Sequence, residues 1–122
     1  MTGFDKVKGL AAHLPEVAES TSYGTPALKV RGKSFCRMWG EREYRRDAVD
    51  DTEVLVVFCE VDEKPFLLAT SGGALFTTPH YDGSGAVLVR LDDIDDTDLA
   101  DRLEASYLLK APSSLRRSLG RP

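Results

Sequence analysis

The sequence predicts an α+β fold in which an antiparallel sheet of about five strands is backed by N- and C-terminal helices. The chain has 122 residues, 42% of them apolar and 30% charged, which is typical of one globular domain. Short apolar segments joined by turn residues occupy its middle, and segments with helical periodicity lie near both ends. We therefore expect residues 1–122 to form a single domain without internal repeats.

A first helix is predicted at the N-terminus. Apolar residues recur every three or four positions at Phe4, Val7, Leu10 and Leu14. This spacing is typical of one buried helix face, and Pro15 is expected to end the helix. His13 falls within the predicted helix.

Five segments are predicted to be strands, because they are short, apolar and bounded by turn residues. They are Ala27 to Val30, Ser34 to Trp39, Val54 to Cys59, Ala74 to Thr77 and Ala86 to Leu91. Gly32 suits a tight hairpin turn between the first two, since glycine tolerates positive φ. The polar span from Gly40 to Glu53 is interpreted as a connection. Short turns between successive strands favour antiparallel pairing.

Three more helical segments are expected. A short helix from about Glu63 to Ala69 precedes Gly72, which is suited to a helix end. Asp96 opens a longer helix whose Leu99, Leu103 and Tyr107 share one face. Pro112 breaks it, and Ser113 to Leu119 forms a last short turn or helix.

Three motifs carry a family resemblance that runs over nearly the whole chain. They are Ser22-Tyr23-Gly24-Thr25-Pro26-Ala27 with the following Lys29 to Phe35, Thr78-Pro79-His80-Tyr81-Asp82-Gly83, and Ala105-Ser106-Tyr107-Leu108-Leu109-Lys110-Ala111-Pro112. In these motifs the chain resembles the MmcQ/YjbR family of small bacterial proteins, which are often labelled DNA-binding. The resemblance implies a frataxin-like curved antiparallel sheet backed by helices. It also marks the motif positions Tyr23, Thr25, Pro26, Lys29, Arg31, Lys33, Pro79, His80 and Tyr81.

The charge distribution is the strongest physical indication of a partner, which would be a nucleic acid, although a solvated strand face ranks ahead of it. The formal net charge is −4, but residues 1–46 carry plus four, residues 47–104 minus twelve and residues 105–122 plus four. The predicted DNA-binding residues are Lys29, Arg31, Lys33, Arg37, Arg116 and Arg117. Lys29, Arg31 and Lys33 alternate along extended chain, so they tend toward one face, where they can contact phosphates, but the turn at Gly32 leaves the direction of Lys33 open. The alternative is that these charges form only the solvated face of a strand.

A second hypothesis is a module that binds a protein or a small ligand in a cleft over the sheet. Its predicted lining is Tyr23, Trp39, His80 and Tyr81, which combine aromatic area with a titratable ring. An enzyme centred on His80 ranks last, because no nucleophile motif accompanies this histidine.

The sequence implies neither a cofactor nor a metal. Asp93, Asp95, Thr97, Asp101 and Glu104 have the spacing of a calcium loop, but Asp98 occupies the position that requires glycine. Cys36 and Cys59 are expected to be free and buried. The apolar runs are far shorter than the roughly 20 residues of a membrane helix. No signal peptide is apparent at the N-terminus, so we expect a cytoplasmic protein. We also expect a monomer.

Overall fold

The structure, a computed structural model, describes residues 3–120. Its helices and strands, in chain order, are α1 (Gly3–Ala11), β1 (Val17–Ser22), β2 (Thr25–Val30), β3 (Lys33–Met38), α2 (Glu41–Asp47), β4 (Val54–Phe58), α3 (Lys64–Thr70), β5 (Leu75–Phe76), β6 (Ala86–Arg90), α4 (Asp96–Lys110) and α5 (Ser113–Ser118). Short 3-10 turns cover Val61–Glu63 and Pro79–Tyr81. The predicted α+β class is confirmed.

The strands form one antiparallel sheet in the order β1-β2-β3-β4-β6-β5. Within residues 3–120 the sheet therefore has six strands, one more than the number of about five that was expected. The additional strand is β1, which pairs with β2 from Val17 opposite Val30 to Ser22 opposite Thr25. Its sequence is mostly small and polar and none of its residues is buried, because it lies at the edge of the sheet. It therefore lacks the apolar pattern by which the other strands were recognised.

Two helices differ from the prediction. The first helix ends at Ala11, so His13 lies beyond it, exposed in the following turn. The span from Gly40 to Glu53, interpreted as a connection, contains α2. No residue of α2 is fully buried, so it lacks the buried apolar stripe that usually indicates a helix. A capping interaction begins it instead, in which the Gly40 N–H donates to Glu43 Oε1 at 2.8 Å.

Helices α1 and α4 cover one face of the sheet, which we call the helix-covered face. As predicted, Leu99, Leu103 and Tyr107 of α4 are fully buried there. Cys36 and Cys59 are buried and unpaired on this side as well. Burial disfavours the thiolate and raises the pKa of the Cys36 thiol to about 12.

The Ser106-Tyr107 motif ties α4 to the sheet. Ser106 Oγ donates to the Phe35 carbonyl of β3 at 2.5 Å and accepts the Phe58 N–H of β4 at 2.8 Å. It thereby bridges two strands at the end of their ladder. Tyr107 Oη donates to the Pro15 carbonyl at 2.7 Å. These two residues of the family motif therefore stabilise the fold.

The opposite face of the sheet is covered only in part. Trp39, Val54, Val56 and Leu88 form a smaller core there, covered by Tyr81 and by the half-buried aromatic side chains of α2 and β5. Tyr44 of α2 accepts the Val54 N–H at 2.9 Å. The part of this face formed by β2 and β3 carries Lys29 and Arg37, because their neighbours along each strand face the helices.

Candidate functional site

A cleft of about 390 Å³ opens beside this partly covered face. We call it the Tyr23–His80 cleft. It lies between the β1–β2 turn, strand β3, helix α2 and the 3-10 turn at Pro79–Tyr81. Its lining residues are Tyr23, Arg37, Arg42, Glu43, His80 and Tyr81. Its volume falls within the roughly 300–1,000 Å³ of small-molecule sites.

Tyr23 projects from a strained turn at the mouth of the cleft. Ser22 pairs with Thr25, so Tyr23 and Gly24 form a two-residue hairpin loop, with φ values of 54° and 78°. Positive φ at both positions is typical of a type I′ turn, which usually has Asn or Asp where Tyr23 stands. A bulky residue in this conformation is an outlier costing about 1–3 kcal/mol. The side chain is nevertheless 90% exposed, so no core packing offsets this cost.

Arg37 and Glu43 form a rigid wall of the cleft. Arg37 Nη2 donates to Glu43 Oε2 at 2.5 Å, and each side chain is only 14% exposed. Burial opposes ionisation of Glu43, but the hydrogen bonds from Arg37 and the Gly40 N–H outweigh it and lower the pKa of this carboxyl. The guanidinium also lies 5.2 Å from the Tyr23 ring centroid, a cation–π distance. The Glu43 charge is therefore compensated within the wall.

The 3-10 turn holds Tyr81 and presents His80. Tyr81 Oη accepts the Trp39 Nε1–H at 3.2 Å, and the two rings stack with centroids 6.3 Å apart. Buried Lys64 Nζ donates to the Tyr81 carbonyl at 2.5 Å. Tyr81 is thus held through its hydroxyl and through its backbone carbonyl, whereas His80 is exposed with its ring 5.1 Å from that of Tyr81.

Helix α2 supplies the remaining charges. Arg46 pairs with Asp47 and lies 5.8 Å from the Tyr81 ring centroid. The hydrogen bond from Arg46 outweighs burial and lowers the pKa of Asp47, and Thr78 Oγ1 adds a hydrogen bond at 2.8 Å. Arg42 is exposed and forms no hydrogen bond or ion pair with any residue from 3 to 120. It is therefore an uncompensated cation at the cleft.

The structure brings together three of the four residues predicted to line a ligand cleft, namely Tyr23, His80 and Tyr81. The fourth, Trp39, is buried against Tyr81 and supports it from below. Arg37, predicted as a phosphate contact, also lines this cleft. Glu43 was missed as a site residue, because its contact with Arg37 depends on a helix that the sequence did not predict.

The other predicted phosphate contacts are distributed over separate elements. Arg31 occupies the β2–β3 turn with Gly32, where φ values of 50° and 82° confirm the predicted tight hairpin. It forms a two-bond ion pair with Glu16, at 2.6 and 2.9 Å. The expectation that Lys29 and Lys33 share a face was wrong. Lys33 is exposed and pairs with Val30 on the helix-covered side, whereas Lys29 is partly buried on the opposite face. On α5, Arg116 donates to the Leu108 carbonyl at 3.3 Å, and Arg117 is exposed.

Residues 3–120 contain neither a cluster of metal ligands nor a membrane-spanning helix. Within residues 3–120, no group of three or more His, Cys, Asp or Glu side chains is arranged to hold a metal ion. Asp95 of the calcium-like spacing instead caps α4, accepting the Asp98 N–H at 2.8 Å. None of the helices in this range is long and apolar enough to span a bilayer.

Comparison with known proteins places the chain among relatives without an assigned activity. It is 47% identical over 49 residues to the uncharacterized proteins Rv2570 of Mycobacterium tuberculosis and Mb2600 of Mycobacterium bovis. Each match covers 40% of this chain and only 38% of the relative. The crystal structure of Deinococcus radiodurans protein DR2400, a DUF419 domain, is similar with a TM-score of 0.68 and 22% identity, covering 98% of this chain and 88% of that one.

The structural similarity agrees with the fold described above. A family model described as YjbR matches residues 12–109. This range includes the strained Tyr23 turn, the His80 turn and the Ser106-Tyr107 pair that ties α4 to the sheet. The chain therefore belongs to the YjbR family.

Proposed function

We propose that this protein is a non-catalytic binding module for single-stranded DNA, with a base held in the Tyr23–His80 cleft. Tyr23 is the observation that carries the proposal. An exposed aromatic ring in a strained type I′ turn contributes no core packing, and beyond its contact with Arg37 most of its surface is free to contact a ligand. Stacking of a base on such a ring is worth about 1–3 kcal/mol.

The charges around the cleft suit an anionic strand. Glu43 is paired with Arg37, so it offers little repulsion to a phosphate. Arg42 has no partner within residues 3–120 and is available to a phosphate beside the stacked base. Lys29 faces the same side of the sheet as Arg37 and adds a second cation to this surface.

Single strands suit this surface better than duplex DNA. A duplex hides its base faces, whereas a single strand offers them to aromatic side chains. The net charge of −4 provides no broad basic footprint of the kind that supports duplex binding. Two phosphate contacts predict a modest slope of log affinity against log salt, about −1.4, at roughly 0.7 per contact on single strands.

Fluorescence anisotropy with a labelled oligothymidylate and a matched duplex, at several salt concentrations, tests the proposal. Tyr23→Asn is the sharpest variant, because asparagine favours the turn and removes the ring. We expect it to weaken single-strand binding about five- to thirtyfold, equivalent to about 1–2 kcal/mol. Equal binding by wild type and a folded Tyr23→Asn variant would rule the cleft out.

Arg42 and Arg45 provide a matched comparison on one helix. Both are exposed, but only Arg42 lines the cleft, while Arg45 pairs with Glu41. Arg42→Gln should lower affinity and reduce the salt slope by about 0.7, whereas Arg45→Gln should leave both near wild type. Equal losses in the two variants would indicate nonspecific attraction to α2.

A free nucleotide is the second candidate ligand, favoured by the cleft volume of about 390 Å³, which suits one planar unit. Competition between the labelled oligonucleotide and thymidine monophosphate distinguishes a strand-binding protein from a nucleotide-binding one. Tighter binding of the oligonucleotide supports a strand-binding module, since it adds the Lys29 contact. Equal affinity for the two, unaffected by Lys29→Glu, would instead make the protein a nucleotide-binding module.

A further inference from the structure

A second cavity lies away from the Tyr23–His80 cleft, between the end of α3, strand β5 and the N-terminal half of α4. Its volume is about 170 Å³, well above the roughly 10–15 Å³ that one water molecule requires. Its apolar lining is Leu67, Ala74, Leu75 and Ile94, and its polar lining is Thr70, Ser71, Asp98, Asp101 and Arg102. A small ligand with both an apolar and a polar part suits this lining.

Arg102 lines this cavity, and its side chain donates no hydrogen bond to any residue from 3 to 120. Its Nη1 atom is shielded from solvent and has no hydrogen-bond partner within residues 3–120. A buried donor without a partner is costly, and the cost is higher for a charged group. A carboxylate is the acceptor that best matches the planar guanidinium fork.

Two carboxylates at the cavity disfavour a simple anion. Asp98 and Asp101 are exposed and lie three residues apart on α4, so they are neighbours on the helix surface. Neither side chain forms an ion pair within the described range 3–120. With Arg102 they give the polar side a net charge of minus one, which repels phosphate or sulfate. A cationic group beside them is favoured instead.

We propose that this cavity binds a free α-amino acid with a small branched apolar side chain. The ligand carboxylate accepts from Arg102, its ammonium lies between Asp98 and Asp101, and its side chain packs on Leu67 and Ile94. Each polar group of the ligand then meets the opposite charge. This site is independent of the Tyr23–His80 cleft, with which it shares no lining residue.

Isothermal titration calorimetry of the full chain with L-leucine and L-valine tests the proposal. Isocaproate and isoamylamine serve as ligands that keep the leucine side chain but lack the ammonium and the carboxylate, respectively. We expect saturable binding of at least one amino acid, with each truncated ligand weaker by about tenfold or more. Absence of heat with both amino acids at millimolar concentration overturns the proposal. Isocaproate binding as tightly as leucine also overturns it, because it would indicate an anion site.

Variants on α4 separate the two polar contacts. Arg102→Met keeps the apolar stem, and Nη1 has no bond to lose in the free protein, so the variant is expected to fold. It should weaken leucine binding about tenfold or more. Asp98→Asn with Asp101→Asn should do the same. The control, Asp62→Asn with Glu63→Gln, neutralises two exposed acids outside the cavity. Unchanged affinity in both α4 variants, or an equal loss in the control, refutes the assignment.

Discussion

Substitution of Ser106 by alanine is the most informative test of how α4 is attached to the sheet. Ser106 is fully buried, and its hydroxyl bridges the Phe35 carbonyl and the Phe58 N–H. Alanine fits the same space, so the substitution removes the bridge without a steric clash. It leaves one buried donor and one buried acceptor without their partner.

The expected cost follows from these two groups. A buried backbone group that loses its partner costs about 1–3 kcal/mol. Taking the lower half of that range for both groups, because strands β3 and β4 relax in part, gives about 2–4 kcal/mol. For a domain of this size, between the 60–100 and 150–250 residue classes, this is a fall in Tm of roughly 6–20 °C.

Urea unfolding followed by circular dichroism measures this loss in the free energy of unfolding. Ser114→Ala is the control, because Ser114 is exposed on α5 and its substitution should stay within about 0.5 kcal/mol of wild type. Hydrogen exchange adds a local measurement, since the Phe58 amide should exchange much faster in Ser106→Ala. A loss below about 0.5 kcal/mol in Ser106→Ala would refute the bridging role.

Three further outcomes are expected. Glu43→Gln should destabilise the protein at neutral pH, because the pKa of Glu43 is lowered in the folded state. This contribution is present above the unfolded pKa near 4.5 and is lost as the pH falls through the folded pKa, so urea midpoints of variant and wild type should converge at low pH. Lys64→Met should cost about 1–3 kcal/mol and speed hydrogen exchange around Tyr81, whose carbonyl it leaves without this donor; unchanged exchange there would contradict the restraint. The Cys36 thiol, with its pKa near 12, should react with a thiol reagent at pH 8 only on unfolding, and rapid labelling of the native protein would show that it is accessible.

The elements predicted correctly are those whose local sequence matches their burial. In α4, apolar residues at helical spacing are the ones that face the sheet. Strands β4 and β6 are apolar runs because their residues are buried on both faces of the sheet. For these elements, the local sequence is sufficient to predict the secondary structure.

Strand β1 and helix α2 were not predicted, because contacts with other segments stabilise them. Strand β1 has no buried residue and exists as a strand by pairing with β2 across the Tyr23-Gly24 turn. Helix α2 lacks a buried residue too and depends on the Glu43 cap and on the ion pair with Arg37 in β3. Neither contact follows from hydrophobic periodicity.

The candidate site was likewise only partly predictable from the sequence. The residues Tyr23, His80 and Tyr81 were recognised in the sequence through motifs separated by more than fifty positions. Their convergence on one cleft, with Arg42 at its edge, depends on α2 packing over the sheet. The predicted phosphate contacts do not converge in this way. Arg31 and Arg116 have intramolecular partners, which spacing in the sequence does not indicate.

By itself, the sequence determined the α+β class, the buried strands, the long C-terminal helix and the residue types available for binding. These properties depend on hydrophobic periodicity and turn chemistry, which are local. Only the tertiary structure decided which charges are compensated, which ring is exposed in a strained turn and which buried guanidinium nitrogen lacks a partner. Each of these depends on distances between residues that are far apart in the chain, and no local pattern encodes such distances.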